Sequence, residues 1–227
     1  MVRKTFDQFL AQLKDEILIL GSIVENSTLE AVGALIRGDF SAARTLYRNY
    51  HMINERRMAI ENAVLSQIAT QQPMAHDLRV LTATLYVAND LERMGDYAKG
   101  ISKIVLNISN EDVSIPASDF QEMARLSVSM LHSGLSAFID ENSVAAQQIP
   151  HEDHKVDALY NRIYRKVVVG MLCNPDTIDQ ANYLLWVAHN LERLADRVVN
   201  ICERTFFICT GDMMEQDDDE DSLALIA

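Results

Sequence analysis

Glu92 and Asp96 stand four residues apart, and Glu192 and Asp196 repeat the pair at an offset of 192 − 92 = 100 residues. On an α-helix, residues i and i+4 leave the same face one turn apart, so each pair presents two carboxylates side by side. Like charges in that relation cost an isolated helix roughly 0.2–0.5 kcal/mol. Arg93 and Arg193 relieve the repulsion only in part, because they leave the helix about 100° away from the glutamates. A repeated, unfavourable acidic pair invites a cation as its missing partner. Asp153 and Asp157 form a third pair of this kind, on the helix preceding Glu192 and Asp196. If those two helices run antiparallel, four carboxylates can face one another. Such a set suits Mg²⁺, Ca²⁺, Mn²⁺ or Fe better than structural zinc. His151, His154 and His189 are close enough in sequence to add nitrogen and shift the preference toward iron or zinc. The competing explanation is plain: acidic pairs commonly just solvate a helix face. His154 and His189, taken singly, read as surface or packing residues, and Tyr86 and Trp186, at matching places, as packing residues.

The elements that would position these groups are long helices. Gly and Pro together number only 12 of 227 residues, which disfavours a turn-rich sandwich or barrel. Breaks fall at Gly38-Asp39, Gln72-Pro73, residues 110–118, residues 140–143 and Asn174-Pro175-Asp176. Between them, stretches of about 30 residues carry helical periodicity. Leu91, Met94, Ala98, Ile101, Val105 and Ile108 step 3, 4, 3, 4, 3, a stripe for one partner face, and Leu191, Leu194, Val198 and Ile201 do likewise. Glu92 and Asp96 lie about 140–180° from the centre of that stripe. They close a second apolar stripe of Leu78, Leu81, Leu85 and Ala88, whose burial partner the sequence leaves open; Ala181, Leu185 and Ala188 lead up to Glu192 and Asp196 in the same way. Pro150 interrupts the pattern of residues 143–172: either the helix is kinked there, the preferred reading, or it starts just after Pro150.

Residues 85–96 and 185–196 share seven of twelve identities, including Glu, Arg and the final Asp. This marks a duplicated unit of about 100 residues. The expected fold is therefore all-α: two tandem three-helix bundles of long antiparallel helices, residues 1–110 and 111–211, followed by an acidic, disordered tail over residues 212–227. Residues 215–221 alone hold six acids and no base. The formal charge of −13 and pI near 4.8 argue against nucleic-acid or anionic-lipid binding. Cys173, Cys202 and Cys209 form no CxxC and leave one thiol over in any pairing, which fits a reducing compartment. The apolar run at residues 17–24 is expected as part of an amphipathic helix rather than a signal peptide or a membrane span.

Enzyme chemistry finds little support. Di-iron carboxylate bundles use Glu-x-x-His, but Gly95 and Ala195 stand three residues after Glu92 and Glu192, and no other glutamate has His at i+3. There is no GxSxG and no Gly-rich phosphate loop. A purely structural helical adaptor, soluble by virtue of its acidic faces, is the plainer alternative.

The motifs Asn-Asp-Leu-Glu-Arg-Met-Gly-Asp (89–96) and His-Asn-Leu-Glu-Arg-Leu-Ala-Asp (189–196) resemble those of the PhoU family of phosphate-signalling regulators. Gln-Pro-Met-Ala-His-Asp-Leu-Arg (72–79) and Asp-His-Lys-Val-Asp-Ala-Leu-Tyr (153–160) resemble that family too, in the right order. The resemblance implies a cytoplasmic, non-catalytic, often dimeric protein with a negative role in the phosphate-starvation response. Its partners would be a phosphate ABC transporter with its ATPase and a membrane sensor histidine kinase, and it would meet the membrane only through them. It also implies multinuclear iron or zinc held by paired Glu/Asp-x-x-x-Asp motifs. Carried over by position, the metal-ligating residues are Asp153, Asp157, Glu192 and Asp196 in the second unit and Glu92 and Asp96 in the first. The first unit's partner half reads Tyr50-His-Met-Ile-Asn54 and lacks carboxylates. One full metal site and one weak or empty site are expected.

Overall fold

The computed structural model describes residues 2–108 and 114–214, with side chains from Thr5 onward. The boundary expected at 110/111 and the acidic run at 215–221 lie outside the described residues. Among the described residues seven α-helices follow one another: α1 (Val2–Arg37), α2 (Phe40–Gln71), α3 (His76–Asn107), α4 (Ala117–Ile139), the short α5 (Ser143–Gln148), α6 (Asp153–Cys173) and α7 (Ile178–Thr210). No strand occurs among the described residues. The expected breaks mark helix ends. Asp39 caps α2 by accepting from the N–H groups of Ser41 and Ala42, and Asn142 caps α5 by accepting from Ala145. Gly211 ends α7 with φ 86°, a left-handed turn that glycine adopts without a Cβ penalty.

The long helices form two bundles, α1–α2–α3 and α4–α6–α7, and the bundles meet where α3 packs on α7 and α1 on α4. The heptad stripes are the core of this arrangement: Leu91, Met94, Ile101, Leu191, Val198 and Ile201 are completely buried. Leu81 and Ala88 of the second stripe are also buried within the chain, while Leu78 stays exposed. Helix α1 is long and apolar enough by length and composition to cross a membrane. Here Ile17, Leu20, Val24, Ala34 and Leu35 spend that apolar character on the core. Gly21 serves the α1–α4 contact, since a Cβ there would stand 2.2 Å from Leu135 Cδ1.

Pro150 does not simply kink one helix. Helix α5 stops at Gln148, a 3₁₀ turn runs over Ile149–Glu152 with Pro150 in its first turn, and α6 opens at Asp153. The backbone stays right-handed throughout, at Gln148, Ile149 and Asp153 alike. Proline has no N–H and its ring crowds the preceding carbonyls, so the ladder tightens and restarts. The restart places Asp153 at the N-terminus of α6, where the helix dipole favours a carboxylate.

Candidate functional site

Asp153 and Asp157 project from the first two turns of α6 toward Glu192 and Asp196 on α7. The four carboxylates share one cleft. Burial raises the Glu192 carboxyl to about 7, with Asp196, Asp157 and Asp153 adding repulsion and Arg193 opposing it. Burial likewise raises Asp153 to about 6, helped by Asp157 and Asp196 and opposed by His154. Asp157 and Asp196 are raised by burial as well, the first against His154 and the second against Arg193, His189 and Arg197. Asp153 Oδ1 and Glu192 Oε2 are buried without a hydrogen-bond partner. Such orphaned acceptors cost about 1–3 kcal/mol each, more when charged. His189 Nδ1 stands 3.3 Å from Glu192 Oε2, close but not aligned as a hydrogen bond. His151 and His154 are exposed. Among the described residues no group of three or more His, Cys, Asp or Glu side chains converges tightly enough to hold a metal ion as it stands. Mutual repulsion of like charges opposes such convergence, and a hard cation would reverse it. The donor chemistry therefore fits a hard or borderline metal: oxygen acceptors, two of them orphaned and buried, with an imidazole at the edge.

The equivalent place in the first repeat differs in kind. Ile53, Ile60 and Val64 of α2 are buried like Val156, Ile163 and Val167 of α6. This fixes an offset of 156 − 53 = 103, so Tyr50 stands where Asp153 does and Asn54 where Asp157 does. Tyr50 donates its phenolic O–H to Glu92 Oε1 at 2.5 Å. Burial and the Glu92 hydrogen bond push the phenol well above its ordinary range, so it remains a donor. Lys99 Nζ lies 3.4 Å from Asp96 Oδ1 and 4.0 Å from the centre of the Tyr50 ring. Arg93 Nε lies 4.0 Å from Glu92 Oε2. Gly95 completes the fit: a Cβ there would stand 2.7 Å from Ile53 Cδ1, whereas the equivalent positions in the second repeat hold the smaller Val156 and an alanine, Ala195. Glu92 and Asp96 thus share a cleft, as their spacing implied, but their partners come from the protein itself.

The seam between α3 and α7 joins the two clefts. The helices are antiparallel: Tyr86 meets Arg204 (4.3 Å from ring centre to guanidinium), Asp90 meets Arg197 (3.1 Å), and Arg193 lies over the Tyr97 ring (5.3 Å). Asp90 is buried and also accepts from Asn200 at 3.5 Å. Burial raises its carboxyl despite the Arg197 charge beside it. Tyr86 and Trp186 are not core packing residues; each is 54% exposed. Their neighbours Val87 and Val187 take the buried face, which turns positions 86 and 186 outward by about 100°. Trp186 rests edge-on against His189 instead, ring centres 5.9 Å apart.

Sequence reasoning passed over Lys99, Glu141 and the role of Asp90 in the seam, and read Tyr50 only as a missing carboxylate. Lys99 could have been found by extending the repeat comparison three residues, because Val199 holds its place in the second unit. Glu141 has no such signal. It sits beyond α4 with φ 51°, accepting from Lys14 Nζ at 2.9 Å and facing His76 Nε2 at 2.7 Å, while its carbonyl accepts from the Cys209 thiol at 3.0 Å. Burial pushes the Glu141 carboxyl up, but Lys14 and His76 outweigh it and hold the group below its usual range. The three cysteines are free thiols, and burial lifts Cys202 to about 12.

Comparison with known proteins places this geometry in context. A family model described as the PhoU domain matches residues 17–105 and again 120–205. A phosphate-specific transport system accessory protein PhoU homolog of Clostridium acetobutylicum is 32% identical over 219 residues, spanning 96% of this chain and all of that protein. The homolog of Caulobacter vibrioides is 33% identical, covering 92% of this chain and 91% of its own length. Among solved structures, the phosphate transport system regulatory protein PhoU of Streptococcus pneumoniae superposes with a TM-score of 0.86. It is 31% identical and covers 93% of this chain and 100% of its own.

Proposed function

This chain belongs to the PhoU family, and from that premise we propose that it is an accessory regulator of a phosphate transport system, repressing phosphate uptake and the phosphate-starvation response. It works in the cytoplasm without catalysis, as a homodimeric adaptor. It carries the state of a phosphate ABC transporter, through the transporter's ATPase, to a membrane sensor histidine kinase. The observation that supports this reading most is the match of both repeats, in order and nearly end to end, with relatives named as accessory proteins of phosphate transport. The charge of −13 suits protein contacts and disfavours nucleic acid.

Asp153, Asp157, Glu192 and Asp196 hold a regulatory or structural metal, iron or zinc before manganese, magnesium or calcium. The orphaned Asp153 Oδ1 and Glu192 Oε2 support this assignment. Metal bound there supplies the positive charge that the four carboxylates lack and ties α6 to α7. Glu92 and Asp96 fit a metal less well, because Tyr50, Lys99 and Arg93 already engage them.

Deleting the gene is expected to make alkaline phosphatase production constitutive in high phosphate; unchanged repression in the deletion strain rejects the regulatory role. Elemental analysis of untagged protein beside a Glu192→Ala/Asp196→Ala variant tests the metal. A second reading, an adaptor that needs no metal, draws on the lack of a converged ligand set among the described residues. It is favoured if the four-carboxylate variant binds no metal and still represses.

A further inference from the structure

The two clefts descend from one repeated unit, yet their charges are balanced differently. In the second repeat, Asp153 stands opposite Glu192 and the residue three positions after Asp196 is Val199. In the first, Tyr50 takes the place of Asp153, Asn54 that of Asp157, and Lys99 that of Val199. Two acids are lost and one base is gained, so the local formal charge changes from −4 (Asp153, Asp157, Glu192, Asp196) to −1 (Glu92, Asp96, Lys99). The replacements also touch the remaining acids: the Tyr50 O–H reaches Glu92 Oε1 at 2.5 Å, and the Lys99 ammonium lies between Asp96 Oδ1 at 3.4 Å and the Tyr50 ring at 4.0 Å. The Tyr47 ring centre lies 5.7 Å from the same ammonium. Neither Glu92 nor Asp96 has an orphaned buried oxygen, in contrast to Asp153 and Glu192.

We propose that the first repeat carries a tethered cation in place of a metal. The Lys99 ammonium, seated on Tyr50, neutralises the Glu92/Asp96 pair from within, so that this repeat is held together permanently while only the second repeat responds to metal. The chain is thus an asymmetric device with one fixed half and one metal-dependent half. The contrast rests on the metal reading of the second cleft, but the role of Lys99 does not.

Two measurements decide it, with Mn²⁺ as the probe. Equilibrium loading followed by elemental analysis should give wild-type protein and the Glu92→Ala/Asp96→Ala variant the same Mn²⁺ content. The triple exchange Tyr50→Asp/Asn54→Asp/Lys99→Val, which installs the second repeat's residues, should about double it. In chelator, Lys99→Val alone should lower Tm by about 2–4 °C. Loss of Mn²⁺ in the Glu92→Ala/Asp96→Ala variant overturns the proposal, as does an unchanged Tm for Lys99→Val. If wild-type protein takes up no Mn²⁺, the metal reading of the second repeat fails separately, and the Tm of Lys99→Val still decides the role of Lys99. Circular dichroism shows whether the triple variant folds; if it does not, the Lys99→Val and Glu92→Ala/Asp96→Ala arms carry the test.

Discussion

The cleft of the first repeat and that of the second begin from the same Leu-Glu-Arg-x-x-Asp segment and reach opposite electrostatic conditions. Around Glu92 and Asp96 the polar partners are a donor and two cations: Tyr50, Lys99 and Arg93. Around Glu192 and Asp196 the carboxylates of Asp153 and Asp157 add repulsion, and the buried Asp153 Oδ1 and Glu192 Oε2 have no hydrogen-bond donor. The helix that carries the acids is nearly the same in both. What differs is the face that the preceding helix turns toward it, and one position a turn further on.

The largest expected effect comes from ligand binding. Mn²⁺ or Zn²⁺ at a hundred times its Kd should stabilise wild-type protein by about 2.7 kcal/mol, a rise in Tm of roughly 5–10 °C. The gain should vanish in Glu192→Ala/Asp196→Ala and survive in Glu92→Ala/Asp96→Ala; calorimetry with and without chelator separates these results. Equal losses in both variants would erase the contrast between the clefts.

The same substitution made in the two repeats should act with opposite sign in metal-free protein. Glu92→Gln removes a charged acceptor from Tyr50 and should cost about 1–2 kcal/mol. Glu192→Gln removes a carboxylate from a repulsive set and should stabilise by a few tenths to about 1 kcal/mol. Urea unfolding of both variants in chelator measures the pair, and a cost in both would contradict the picture of the second cleft.

The pH dependence follows from the raised groups. Glu192 near 7 and Asp153 near 6 bind protons more tightly folded than unfolded. Below about pH 4 both states hold these protons and the contribution is fully present. It is lost as pH rises through about 6 and then 7. Metal-free protein should therefore show a downward slope of stability between pH 4 and 8, which Asp153→Asn/Glu192→Gln flattens. Unfolding midpoints at four or five pH values suffice, and a slope unaltered by the double variant would place its origin elsewhere.

The smallest effect concerns packing beside the first cleft. Gly95→Ala pushes a methyl group against Ile53 and should cost up to about 1 kcal/mol. Adding Ile53→Val, which copies Val156 and Ala195, should recover most of it, as thermal melts of the three proteins would show. No recovery would mean that the two repeats solve this contact independently.

Much of the architecture was legible. Breakers at 38–39, 72–73, 140–143 and 174–176 are strong local signals, and the 3–4 spacing around Leu91 and Leu191 could serve only one face. The gathering of Asp153, Asp157, Glu192 and Asp196 was also readable, because an i, i+4 pair on each of two neighbouring helices leaves few ways to avoid one another. Lys99 and Tyr50 were not: their meeting depends on the register between α2 and α3, which periodicity along a single helix does not contain. Tyr86 and Trp186 misled because size suggests burial, whereas their angle on the helix decides it. At Pro150 the sequence shows that a ladder bond is missing, but not whether the helix bends or restarts.

The seam between α3 and α7 bears on how the chain avoids pairing wrongly. Position for position, Asp90 corresponds to Asn190, Arg197 to Tyr97 and Asn200 to Gly100. Were two first repeats to dock through their α3 helices as α3 now docks on α7, each buried Asp90 would face a tyrosine and a glycine and lose its guanidinium. Two second repeats meeting through α7 would set Arg197 against an asparagine. Only the unlike pairing satisfies both charges, and an uncompensated buried carboxylate is a heavy penalty on the alternatives. The duplicated halves have become lock and key to one another, which guards a newly made chain against docking like half on like half.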